Sequence, residues 1–357
     1  MATKLPQGLF YNGFFNRVRS FRATIAPLAR FAAIALLPAA LIFMPLRALG
    51  VSCTTQAAMP GPDRDILLAA ANPLAAAVAS QNFGVLQAAL LPAVTGDWDS
   101  IRGVAQNAKP LLQGGELHWR NAYLLDATDM KAPQDAQFFC TNADSSLTVT
   151  INLRSLPPGK YAVVLGDFSG NPLAGQLGMI LGQDSNKWKL GGLFVREGAF
   201  DGHDGVWYWS HARDEVKSKH TWAAWFDYDI ARWLLLPVDF LSSPNLEKLN
   251  SEQLQLTAPS ESFPVTVAST AAADAGKSWK ITSLHFDATL HAPDLALTYE
   301  SAGLTDPQAK RAEAISVMSG LLHAHPELRE NFHGLWGYAE KDGARTYAIE
   351  VAMHDIP

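Results

Sequence analysis

Apolar and polar positions follow two different periods along this chain, and the change of period divides it. Between residues 65 and 108 the apolar positions keep helical spacing. The segment 65–79 is rich in alanine and leucine, 82–91 follows, and Asp97-Trp98-Asp99-Ser100 gives a start signal for a helix to about 108. From 116 onward the period drops to two. Runs at 116–126, 137–141, 147–153, 160–167, 176–181 and 187–195 read as strands, and Leu147-Thr148-Val149-Thr150-Ile151-Asn152-Leu153 alternates residue by residue. Pro157-Pro158-Gly159 and Asp184-Ser185-Asn186 mark hairpin turns between them. Helices followed by a run of antiparallel strands predict an α+β unit over 63–200. By parity, Trp119, Asn121, Tyr123 and Leu125 should share one face of their strand and Asp126 the other.

Helical spacing returns at 202–237, where five of the ten tryptophans fall: Trp207, Trp209, Trp222, Trp225 and Trp233. Two helices with a polar turn near 217–221 are predicted, with a connector helix at 245–256. The second hairpin helix carries Ala224, Tyr228, Ala231 and Leu235 on one stripe, and Trp222, Trp225 and Trp233 on a nearly opposite one. A helix apolar on two sides is clamped between two layers. Aromatic side chains bury ~150–250 Å² each, so the rod should join its flanking units as interior.

A loop at 257–264 leads to strands near 279–290 and 295–301. A helix then starts at Thr305-Asp306-Pro307 and runs to about 324. A final hairpin turns at Lys341-Asp342-Gly343. This ββαββ order over 265–357 predicts a second small α+β unit. His333-Gly334-Leu335-Trp336-Gly337-Tyr338 matches no assignable motif.

Composition alters the picture at the N-terminus. Residues 1–62 hold six basic residues and no acid, so the remaining 22 basic and 34 acidic residues give the body a charge of −12 within the chain's net −6. An acidic body disfavours nucleic acid, whose phosphates need Lys and Arg patches. The basic start precedes a 16-residue apolar run at 31–46, shorter than the ~20 residues of a spanning helix. That is the layout of a secretory signal or anchor over 1–53, with 54–62 as a short tether. Leu49-Gly50-Val51-Ser52-Cys53 resembles the lipobox of bacterial lipoproteins, which implies lipidation of Cys53 and a membrane-anchored body in the cell envelope. An uncleaved anchor and an ordinary cleaved signal are the alternatives. In an oxidising compartment Cys53 and Cys140 can instead form one disulfide, which lipid on Cys53 would forbid.

Two further resemblances bear on function. The helix-then-strand order, with its ending Lys187-Trp188-Lys189-Leu190-Gly191-Gly192-Leu193-Phe194, resembles the cone fold of the nuclear-transport-factor and ketosteroid-isomerase families. That implies a curled sheet with a cavity between sheet and helices, where Trp98, Trp119, Tyr123, Phe139 and Tyr161 would hold a small apolar ligand. Isomerases of this shape use a carboxylate base, but Asp126 and Tyr123 point oppositely by parity. Ala224, Tyr228, Ala231 and Pro237 resemble the second helix of a tetratricopeptide repeat, which implies a partner surface at Trp207, Trp209 and Trp222.

No second copy of that unit is visible, and such repeats need about three neighbours to bury a core. Asp201-Gly202-His203-Asp204-Gly205 suits a turn and helix cap better than a metal cluster. Phosphate-loop, dinucleotide and nucleophile-elbow motifs are not found in the sequence. The expectation is therefore a non-catalytic envelope binding or scaffold protein, without cofactor or metal. A cavity enzyme of the isomerase or lyase kind, and a peptide-binding hairpin, are the alternatives.

Overall fold

The computed structural model describes residues 50–142, 146–170, 172–270 and 276–357. Residues 1–49, which carry most of the segment expected as a signal or anchor, lie outside them. The described residues fall within one compact unit of class α+β.

The first layer is helical: α1 (Gly61–Ala79), α2 (Phe83–Ala88), α3 (Trp98–Asn107) and α4 (Lys109–Leu112). It covers a five-stranded antiparallel sheet of order β1-β2-β5-β6-β7: β1 (Ser52–Thr55), β2 (Glu116–Asp126), β5 (Lys160–Ser169), β6 (Gly175–Asp184) and β7 (Lys187–Glu197). A three-stranded sheet of order β10-β4-β3 lies on its other face: β3 (Gln134–Thr141), β4 (Thr148–Leu156) and β10 (Leu241–Ser242). Strand alternation builds both interfaces. Ala162, Val164 and Phe168 of β5 point to the helices, while Tyr161, Val163 and Leu165 meet Phe138, Cys140 and Ile151 of the small sheet.

This sandwich departs from the cone expected by resemblance. The space between sheet and helices is filled by Leu67, Leu86, Leu112, Leu177 and Met179, all without appreciable exposure. The parity expected along β2 also fails at one point. A bulge between Trp119 and Asn121 inserts a residue against β5, and an inserted residue reverses the facing of everything beyond it. Trp119 therefore packs towards the helices and Tyr123 towards the small sheet.

The segment expected as a tether is structured. Thr54 and Thr55 belong to β1, which pairs with β2 from Ser52↔Asp126 to Thr55↔Tyr123, and α1 begins at Gly61. Cys53 of β1 is bonded to Cys140 of β3. A sulfur in that bond cannot also carry a thioether-linked lipid, so the lipidation expected at Cys53 is corrected to a disulfide that staples the two sheets together.

A short hairpin, β8 (Ala199–Phe200) with β9 (His203–Asp204), leads into α5 (Gly205–Ser218) and α6 (Thr221–Leu235). Asp204 caps α5 by accepting from Trp207 N at 2.9 Å. Lys219 closes it in the left-handed region at φ 66°. A Cβ on Gly205 would lie 2.9 Å from Ala231 O, so only glycine permits the helices to approach this closely. Nine of the fifteen α6 residues are buried, on more than one side, as the two stripes predict. α7 (Pro244–Gln253) follows the small-sheet strand β10.

The C-terminal sheet has order β11-β12-β13-β14-β15: β11 (Val265–Ala268), β12 (Ser278–Asp287), β13 (Asp294–Glu300), β14 (Gly334–Lys341) and β15 (Ala344–Ala352). The hydrophobic pattern did not foretell β11. β13 and β14 are parallel, joined through α8 (Pro307–Ala324) as a crossover. One face carries Ile281, Leu284, Leu295, Leu297, Tyr299, Leu335 and Val351 into a single core with α5, α6 and α8. The registers place His285, Asp294, Ala296, Trp336, Tyr338 and Glu350 on the opposite face.

Candidate functional site

A groove of about 940 Å³ opens at the rims of the two sandwiched sheets. Its floor includes Ile180 and Gly191 of β6 and β7. Its walls are the 3-10 turn Pro92–Asp97, the end of β4 with the Pro157-Pro158-Gly159 turn, and residues 239–242. Local chain geometry shapes it. Ser155 has φ +48° and donates its N–H to Asp135 Oδ1 at 2.9 Å, beside a bulge between Gln134 and Ala136. Leu91 lies over Gly182, where a Cβ would come within 2.8 Å of it. Tyr161, which lines the groove, donates its hydroxyl to Pro157 O at 2.9 Å.

Two carboxylates in the wall have cationic partners. Asp184 pairs with Lys189 at 2.8 Å, whose hydrogen bond holds its carboxyl below the usual range. Asp239 pairs with Arg196, which also donates to Leu236 O at 2.7 Å and lies over the Trp233 ring.

Only Tyr161 of the five expected ligand residues lines this groove. Tyr123 is buried between the sheets. Trp98 and Trp119 pack on the helix side, where Trp119 Nε1 donates to Asn72 Oδ1 at 2.7 Å. Phe139 is 61% exposed on the outer face of the small sheet. Asp126 ends its strand and accepts from Thr128 N and Oγ1, which fits a turn cap.

The three partner residues of the hairpin part company too. Trp207 is 40% exposed and stacks between His203 and His211, at centroid distances of 3.9 and 4.8 Å. Trp209 is half-buried and donates Nε1 to Glu252 Oε2 at 2.8 Å. Trp222 is buried, stacked on His325 at 3.8 Å, and is unavailable to a partner.

A second constellation joins residues not singled out by spacing. Asp294 starts β13 and has no solvent exposure. Its Oδ1 lies 3.3 Å from His333 Nδ1, and its Oδ2 accepts from Trp336 Nε1 at 3.3 Å. Glu350 reaches across from β15, and its buried Oε1 has no hydrogen-bond partner. Nδ1 or Nε2 of His333 and one oxygen of each acid lie within 4.8 Å of one another. Burial raises the pKa of both carboxyls, and the charge of Asp294 raises that of Glu350 further. The parallel register Asp294↔Gly334 and the antiparallel pair Trp336↔Glu350 create this meeting. The one available signal was the unassigned run 333–338.

Among the described residues no helix is long and apolar enough to cross a membrane. No protein-family model, no curated protein and no solved structure matches the chain.

Proposed function

We propose that this chain is a non-catalytic binding protein, exported to an oxidising compartment, that holds a small apolar ligand in the groove at the rims of its two sandwiched sheets. The groove carries the reading. Its volume of about 940 Å³ is in the range of small-molecule sites, ~300–1,000 Å³. Leu91, Leu156, Tyr161, Ile180 and Phe240 supply apolar wall. The pairing of Asp184 and Asp239 with cations favours binding over acid–base chemistry. Disulfides persist in oxidising compartments, so the Cys53–Cys140 bond supports an address outside the cytoplasm. The basic-then-apolar leader would supply that address, as an anchor in the membrane or as a cleaved signal.

N-phenyl-1-naphthylamine, which fluoresces in apolar surroundings, tests the groove. The folded protein should give a saturable 1:1 rise. Ala93→Trp, at an exposed position in the groove wall, should remove most of it while leaving the melting temperature unchanged. A signal that never saturates, or one that Ala93→Trp leaves intact, overturns the proposal.

A further inference from the structure

We propose that Asp294, Glu350 and His333 form a binding site for a divalent transition ion of the zinc or manganese class on the polar face of the C-terminal sheet. One nitrogen and two carboxylate oxygens within 4.8 Å of one another are a ligand set in both number and kind. Mixed imidazole and carboxylate donors suit zinc and manganese, whereas calcium takes six to eight oxygens. Two ligand atoms each ~2.1 Å from a tetrahedral ion lie ~3.4 Å apart. His333 Nδ1 and Asp294 Oδ1, at 3.3 Å, already have that separation.

Four observations separate this cluster from an ordinary surface group of acids. First, Asp294 is fully buried and no Lys or Arg pairs with it or with Glu350 among the described residues; His333 alone does. A fully buried carboxylate facing the half-buried Glu350 is unfavourable unless a cation or a proton joins them. Second, Glu350 Oε1 is buried without a partner, although buried polar atoms are generally satisfied. Third, room is kept for the carboxylates. A Cβ at Gly334 would collide with Glu350 Oε1 and lie 3.1 Å from Asp294 Oδ1.

Fourth, the donors are held in place from behind. Trp336 Nε1 fixes the second oxygen of Asp294. The backbone of His333 is pinned on both sides: its N–H donates to Pro293 O at 2.8 Å, and its carbonyl accepts from Met353 N at 2.9 Å. Such outer contacts orient metal ligands. The His333 side chain is 51% exposed, which leaves an entry path, and three protein ligands leave remaining positions for water. Both cysteines are tied in the disulfide, so no thiolate competes for the ion.

The test is titration of the chelator-stripped full chain with Zn²⁺ and, separately, Mn²⁺ by calorimetry. One ion per chain should bind with micromolar or tighter affinity for at least one of the two. Glu350→Gln and His333→Ala should each weaken that binding by tenfold or more, with circular dichroism unchanged. If His333→Ala melts early, His333→Asn replaces it. His354→Ala, on an exposed neighbour, should bind as the parent does. Absence of saturable 1:1 binding of either ion, or binding that survives either ligand variant, overturns the site.

Discussion

His211 Nδ1 lies 2.8 Å from Oδ2 of Asp227, a carboxylate with no solvent exposure. Asn331 donates to the other oxygen at 3.1 Å, so the pair links both hairpin helices to the segment before β14. Burial first, then Glu215, pushes the Asp227 pKa up to about 6 against the opposing pull of His211. His211 is itself raised, mainly by its hydrogen bond to Asp227.

Both shifts act in one direction on stability. A group whose folded pKa is raised gives stability that is fully present below its unfolded pKa and lost as pH rises through the folded one. For Asp227 that window runs from 3.8 to about 6, and for His211 it begins near 6.5 and extends upward. Relative to Asp227→Asn, the parent should therefore lose stability as pH rises from 4 to 6, and again above 6.5. Other carboxylates titrate in both proteins and cancel in the difference. Urea melts at four pH values check the slope; a parallel pair of curves would refute it.

Glu252 should show the opposite slope. Its carboxylate accepts from Trp209 Nε1, from Arg213 Nε and Nη2, and from Tyr228, so α7 is tied to both hairpin helices. The Arg213 hydrogen bonds are the main cause of its lowered pKa. A lowered pKa gives stability that is present above the unfolded value and lost as pH falls through the folded one. Glu252→Gln should cost about 1–2 kcal/mol at pH 7, the low end for charged hydrogen bonds because Arg213 is 42% exposed. The cost should shrink as pH falls below 4.5, the ordinary value for a glutamate.

Two tryptophans of the same hairpin should differ sharply. Trp222 is buried against His325 and Phe263, and Trp222→Ala should cost about 3–5 kcal/mol as a core truncation. Trp207 is 40% exposed, and Trp207→Ala should cost less than about 2 kcal/mol, mainly lost stacking on the two histidines. Equal losses in urea melts would mean that α6 is not interior.

The Cys53–Cys140 bond closes a loop of 87 residues in the unfolded chain. Chain entropy for that length predicts a loss of about 4–5 kcal/mol on reduction. Cys140→Ser should reproduce it without reductant, and dithiothreitol should then have no further effect on its melting curve.

Local pattern carried much of this architecture, and pairing at a distance carried the rest. The double stripe on α6, the Asp204 cap and the alternation of Leu147 to Leu153 are properties of a few adjacent residues, and each is present in the structure. The bulge beside Arg120 leaves no mark in side-chain pattern, because it arises from pairing with β5. One inserted residue was enough to separate Trp119 from Tyr123 and scatter the expected ligand set. Strands β3 and β4 read as a continuation of one sheet, yet they fold over it as a second layer. The Asp294, His333 and Glu350 cluster depends on a parallel crossover through α8 and a cross-strand register, over a span of 56 residues. No local spacing encodes that meeting.

The bond between β1 and β3 has a mechanical consequence. β1 is a four-residue strand at the edge of its sheet, and hydrogen bonds that short would peel apart under load. Tension applied to the polypeptide ahead of Val51 passes instead through sulfur into the buried middle of the sandwich. A pull on the chain ahead of Val51 is thus resisted by a covalent bond rather than by the four-residue strand alone.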